Sequence, residues 1–214
     1  IARWMRDRGC RDEIQVCTKV SSGNSPANIR KQVQASLERL MIDQIDIYML
    51  HSPDDEVPIA EALGALDEQV NAGHIKTIGC SNHSVAQLQE GLNISREKGY
   101  PRFEIVEPPY NLGDRSAEPE LLPLCQREEI ATLTYSPLAA GFLSGKYERT
   151  EERHNFPKGT RFDISPAHAD VYFNDRNFRV LERLREKASE MDEPMVYLAM
   201  AWVIAVMLPP MAIF

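Results

Sequence analysis

The chain has 214 residues, 43% hydrophobic and 26% charged, which is ordinary usage for a globular domain with a real core and excludes disorder as the default. Lysine and arginine number 24 against 32 acidic residues, a net charge of −8, so there is no basic footprint for nucleic acid or an anionic membrane, and a small metabolite is the better partner. Cys10, Cys17, Cys80 and Cys125 show no Cys-x-x-Cys spacing and read as reduced thiols of a cytoplasmic protein.

The chain opens on Ile1 inside a helical pattern at residues 2–8 and stops in the apolar run Met211, Ala212, Ile213, Phe214 without a closing cap, so both ends are expected to be cut. A first strand is predicted over residues 14–20, rich in β-branched residues. Ser25 and Pro26 then start a helix with Ile29, Val33, Leu37 and Leu40 on one face, an N-cap followed by proline at the first helical position. A second strand covers residues 45–51, and a helix over residues 58–70 ends before Gly73. A third strand begins near Thr77, followed by a helix that Ser84 and Gln87 open as a capping box and Gly99 ends. Strands near Phe103 and Ile130 flank a helix over residues 118–128.

Residues 147–172 are polar and without period, a long segment of the kind that is functional or mobile. Helices return at residues 174–191, with Phe178, Leu181, Leu184 and Ala188 inward, and at 194–206. Residues 210–214 read as one more strand. The apolar stretch 197–214 is broken by Pro209 and Pro210, which argues against a membrane span. Strands recur every 26 to 32 residues or so, the rhythm of βα units. No Gly-x-Gly-x-x-Gly follows any strand, which argues against an open dinucleotide-binding sheet, and the spacing matches an eightfold (β/α)8 TIM barrel.

Lys19 and His51 stand at the ends of the first two strands. Burying an ammonium or imidazole costs several kcal/mol unless a site uses it, and carboxyl ends of parallel strands are where such sites form. The plainer readings are a strand-end lysine reaching solvent and a hydrogen-bonded core histidine. A metal site of His51 with Asp54 and Asp55 lacks further ligands.

Five motifs in order resemble those of the aldo-keto reductases: Cys17-Thr-Lys19-Val; Asp43-Gln-Ile-Asp46-Ile-Tyr-Met-Leu-His51-Ser-Pro-Asp54; Ile78-Gly-Cys-Ser-Asn82; Tyr110-Asn-Leu112 with Arg115; and Tyr135-Ser-Pro-Leu-Ala-Ala-Gly141 through Tyr147. The resemblance implies an NADPH-dependent reductase of aldehydes or ketones, with NADH not excluded as cofactor and a small carbonyl compound as substrate. It makes Lys19 the lysine that tunes the family's proton-donating tyrosine and His51 the histidine that orients the carbonyl. It makes Ser81, Asn82, Tyr135, Ser136, Leu138, Gly141 and Lys146 cofactor-binding, while Tyr110 reads as structural. Glu107 stands where the family usually has a glutamine contacting the nicotinamide carboxamide, and an ionised carboxylate offers acceptors only.

No residue is assigned to the family's catalytic aspartate and tyrosine or to its last cofactor loop. The expectation is therefore an interior fragment, residues 1–214 forming one barrel domain truncated at both ends, with about six of eight βα units, doubtful activity of its own and self-association through open barrel edges. The alternative is a non-catalytic, cofactor-binding or regulatory member of the family.

Overall fold

Apolar runs with β-branched residues build five parallel strands in the structure, a computed structural model that describes residues 1–149 and 156–207. Helix α1 (Ala2–Arg8) and a 3-10 turn at Arg11–Glu13 lead into β1 (Cys17–Val20). Then α2 (Pro26–Leu40), β2 (Ile45–Leu50), α3 (Ile59–Asn71), β3 (Ile75–Ser81), α4 (Val85–Lys98), β4 (Ile105–Glu107), α5 (Leu121–Arg127) and β5 (Ala131–Thr132) alternate. The sheet order is β1-β2-β3-β4-β5, and every neighbouring pair is parallel. Each connection between neighbouring strands therefore carries a helix, as parallel pairing requires.

The predicted punctuation is present. The Ser25 hydroxyl accepts the Asn28 N–H, Ser84 and Gln87 form a reciprocal capping box, and Gly99 closes α4 in the left-handed region. Ile29, Val33 and Leu37 of α2 and Ala62, Leu63 and Leu66 of α3 are buried, each large side chain contributing about 1.5–3 kcal/mol. Leu40 is only half-buried.

Three strand starts differ from expectation: β3 begins at Ile75 rather than near Thr77, and β1 and β4 begin later. β1 starts at Cys17 rather than residue 14, because the Asp46 carboxylate takes the Val16 N–H at 2.8 Å and also binds Arg11 at 2.8 Å. A side chain replaces the backbone partner there, and regular pairing begins only beyond it. β4 starts at Ile105, two residues after Phe103, which is fully buried and packs on α4 where Gly91 has no side chain: a Cβ there would sit 2.7 Å from its ring.

The chain divides into two compact units, one of Ile1–Pro108 with Pro123–Thr132 and the other of Pro109–Leu122 with the residues from Leu133 onward. The first holds the sheet. On one face Tyr48, Leu50, Ile78, Cys80, Val106 and Thr132 are almost wholly buried. Cys17, expected in a buried strand, is exposed, since β1 pairs on one side only among the described residues.

The second unit holds two 3-10 turns at Ala139–Ser144, short helices α6 (Arg161–Ile164) and α7 (Ala167–Tyr172), and longer helices α8 (Asp175–Met191) and α9 (Met195–Met207). The segment 147–172, polar and without period, thus carries α6 and α7. It also supplies Tyr147, Phe162 and Tyr172 to an apolar cluster with Phe142, Phe178 and Leu181, where the Tyr147 and Phe162 rings lie 4.3 Å apart. The expected sixth strand at 210–214 lies outside the described residues.

Candidate active site

The carboxyl ends of β1 to β4 bring together five of the residues singled out from the sequence. Lys19 Nζ, near the end of β1, lies 2.6 Å from Glu107 Oε2 at the end of β4, and the two side chains are only 26% and 16% exposed. Contact is by charge rather than by a directed bond, since Oε2 is buried without a hydrogen-bond partner. The Glu107 backbone oxygen accepts the Ser81 hydroxyl at 2.8 Å, as the pairing of Ser81 with Glu107 in register dictates. Asn82, left-handed at φ +60°, donates its amide to Ser81 Oγ at 3.1 Å and to the His51 backbone oxygen at 2.9 Å. Contacts therefore run unbroken from Lys19 through Glu107, Ser81 and Asn82 to His51.

His51 follows β2 directly and is exposed. It lines a cavity of about 460 Å³ with Ser21, Ser22, Asn24 and Asp54. The Asp54 carboxylate accepts the backbone N–H groups of Asn24 at 2.7 Å and Glu56 at 3.0 Å, and the Asn24 bond foremost holds it below the usual carboxylate range. Asn24 also donates to the Ser52 carbonyl at 2.8 Å, so the loops after β1 and β2 are tied together beside His51. Among the described residues no group of three or more His, Cys, Asp or Glu is placed to hold a metal ion.

Two site features escaped the sequence reading. His83 donates Nδ1–H to the Ser81 carbonyl at 2.8 Å, and burial pushes its imidazole down in spite of that bond. Gly79 lies in one register row with Lys19, Met49 and Ile105, and a Cβ there would meet the Ile105 oxygen at 2.5 Å and Met49 Cγ at 3.2 Å. A glycine inside an apolar strand signals such a close approach.

The remaining site residues lie in the second unit. The Tyr135 backbone bridges Pro109 and accepts the Tyr110 N–H at 3.2 Å. The Ser136 carbonyl takes the Asn111 amide at 2.9 Å. The Gly141 N–H is already donated to Leu138 at 2.9 Å. Lys146 lies 5.2 Å from the centre of the Tyr147 ring. Ser136, Ala139, Ala140 and Gly141 all have φ between 50° and 93°, a concentration of left-handed backbone that costs roughly 1–2 kcal/mol per non-glycine residue and that gathers at ligand-binding loops. Tyr110 is fully buried, bonded to Glu118 at 2.6 Å and stacked on Trp202 at 5.2 Å.

The Aldo/keto reductase family matches residues 1–213. An NADH-specific methylglyoxal reductase of Escherichia coli (strain K12) is 35% identical over 187 residues, 84% of this chain and 52% of its own. An aldo-keto reductase of Schizosaccharomyces pombe whose name specifies NADP(+) is 29% identical over 218 residues, 96% of this chain and 62% of its own. The solved structure of a glycerol dehydrogenase from Gluconobacter oxydans superposes with a TM-score of 0.76 at 28% identity, covering 96% of this chain and 63% of the other. The five parallel strands and their helices accordingly form an incomplete (β/α)8 barrel. The chain spans about half the length of the curated relatives it matches.

These matches correct the expectation of an interior fragment lacking an N-terminal Asp/Tyr segment and a C-terminal cofactor loop. That expectation rested on the family's catalytic aspartate and tyrosine and its last cofactor loop, to which no residue of the chain is assigned from sequence. The family match instead takes in the chain from residue 1 to residue 213. The chain belongs to the aldo/keto reductase family.

Proposed function

We propose that the protein reduces small aldehydes or ketones to alcohols with a nicotinamide cofactor, NADPH by preference and NADH permitted. The observation that carries this reading is the unbroken run of contacts from Lys19 to His51 across the carboxyl ends of four adjacent parallel strands, the place where barrel enzymes keep their reacting groups. The names of the relatives, with methylglyoxal, NADH and NADP(+) among them, support it. The bound nicotinamide supplies hydride.

The protein's own groups divide the remaining work. The Ser81 hydroxyl and the Asn82 amide, in mutual contact, are donors and acceptors, and the Glu107 carboxylate is an acceptor with lone pairs to spare beside Lys19. The Glu107 carboxylate can accept from a carboxamide NH2, and the carboxamide oxygen gains a donor when the Ser81 hydroxyl or the Asn82 amide turns away from its present partner, the Glu107 carbonyl or Ser81 Oγ. His51 orients the substrate carbonyl and donates to its oxygen as negative charge develops. The Lys19 ammonium stabilises the charge left on the group that delivers a proton to that oxygen. In the second unit Tyr135, Ser136, Leu138, Gly141 and Lys146 are proposed cofactor-binding residues. Four free cysteines favour a reducing, cytoplasmic setting. The open side of β1 favours self-association.

Nucleotide binding and NADPH consumption with methylglyoxal and 4-nitrobenzaldehyde test the reading together. We expect binding, turnover, and a loss on the order of 10²-fold in His51→Ala. Binding without turnover on any carbonyl would favour a non-catalytic member of the family, and absence of nucleotide binding would overturn the proposal.

A further inference from the structure

We propose that Glu107 is the positioning residue for Lys19, the carboxylate that reaches across the sheet to hold the ammonium at the reacting centre, and not solely a contact for the cofactor. The inference rests on the reductase reading above and deepens it.

Geometry makes the pair unusual. β1 and β4 are separated by β2 and β3, so on a flat sheet with strands ~4.8 Å apart their backbones would stand about 14 Å from each other. Yet Lys19 Nζ and Glu107 Oε2 are 2.6 Å apart. The bridge must pass over Met49 and Gly79, which stand in register with Lys19. Met49 is fully buried and leans into the space Gly79 leaves, its Cγ 3.2 Å from where a Cβ would be. Glycine at this place keeps the corridor over β3 low enough for two side chains to meet above it.

The far end of the bridge is fixed. Glu107 is anchored through its backbone oxygen by Ser81, and its carboxylate is 16% exposed, so its oxygen does not roam. A carboxylate is needed for this task, since a glutamine amide carries no charge to hold an ammonium and would present an N–H2 on one side. With its partner removed, Lys19 becomes a long, charged side chain with four rotatable bonds on a partly desolvated face, free to turn toward solvent. Glu107 therefore holds the position of the ammonium and the local charge balance together, and a glutamine here gives up both.

The test reads Lys19 directly. The protein is pulse-acetylated with sulfosuccinimidyl acetate, and the rate at Lys19 is followed by peptide mass spectrometry against the exposed Lys31 and Lys76 as internal references. The ion pair must open before the amine reacts, so Glu107→Gln is expected to raise the Lys19 rate about fivefold or more, and Glu107→Asp, one methylene shorter, by an intermediate amount. If Glu107→Gln does not fold, the Asp variant alone decides. A Lys19 rate within about twofold of wild type in a folded variant overturns the proposal. So does a weakened NADPH Kd in Glu107→Gln with Lys19 reactivity unchanged, which would assign the carboxylate to the cofactor alone. Acetylation needs no nucleotide, so a protein that fails to bind NADPH sinks the reductase reading while leaving this measurement intact.

Discussion

Lys19 acts in the proposed reaction on charge that appears only as the carbonyl is reduced. Lys19→Met is therefore expected to lower kcat on the order of 10²-fold while the Kd for NADPH moves little. Equal losses in both would make Lys19 a cofactor ligand instead. A second prediction concerns Tyr48, fully buried on the other face of β2. Its hydroxyl has no hydrogen-bond partner, and burial pushes its phenol well above the ordinary tyrosine range. A buried unpaired hydroxyl costs roughly 1–3 kcal/mol, so Tyr48→Phe should raise the urea midpoint at an unchanged m-value; a lowered midpoint would show that the hydroxyl is satisfied in solution. At this scale the sequence exposed what a charged group at a strand end exposes. Lys19 and His51 stood out because lysine and histidine interrupt apolar runs, and Ser81 and Asn82 because polar residues end one. The partnership of Lys19 with Glu107 was hidden. It depends on which strands are near neighbours across a curved sheet and on the bare backbone at Gly79, and neither is written locally.

Among the elements, those with their own stop and start chemistry were legible. Ser25 before Pro26, the Ser84 and Gln87 capping box and Gly99 each satisfy orphan backbone groups by a local rule. α6 and α7 were missed because four and six residues are too few to display a helical period. Packing of Phe162 and Tyr172 holds them in place of propensity. β1 is shorter than the apolar run 14–20 because a carboxylate from the next strand, Asp46, takes the Val16 N–H just ahead of it. One element pair has a pH signature. Before α5, Arg115 donates to both oxygens of Glu118 at 2.7 and 2.8 Å and Tyr110 donates as well, holding Glu118 below the ordinary glutamate range with the Arg115 bonds foremost. A depressed carboxylate contributes stability that is full above the unfolded glutamate value near ~4.3 and is lost as pH falls through the lower folded value. Acid unfolding of wild type should therefore steepen below about pH 4 relative to Glu118→Gln. Parallel acid limbs would show that the three groups are not coupled in solution.

At the scale of the whole molecule the question is what covers the outer side of β1, which pairs only with β2 among the described residues. An unpaired edge of a parallel sheet is a template for another strand, so light scattering behind size exclusion should give a mass above that of one 214-residue chain, rising with concentration. Hydrogen exchange should slow at Cys17–Val20 in the associated form. The competing surface is α9, where Tyr197 is 64% and Met200 38% exposed. Association abolished by Tyr197→Ser with Met200→Ser, without protection of β1, would move the contact to that helix. No helix among the described residues is long and apolar enough to cross a membrane.

The run of contacts from Lys19 to His51 also orders events in time. Its members come from four strands and from positions as far apart as 19 and 107, and parallel strands can be joined only after the helical crossovers between them have closed. A nascent or partly refolded chain with β1 and β2 docked would own both Lys19 and His51 and still lack Ser81, Asn82 and Glu107, the groups proposed to hold the nicotinamide carboxamide. In the proposed reaction nucleotide capture is thus a late event of folding, and a nucleotide that binds only the finished arrangement would draw the population toward it by mass action.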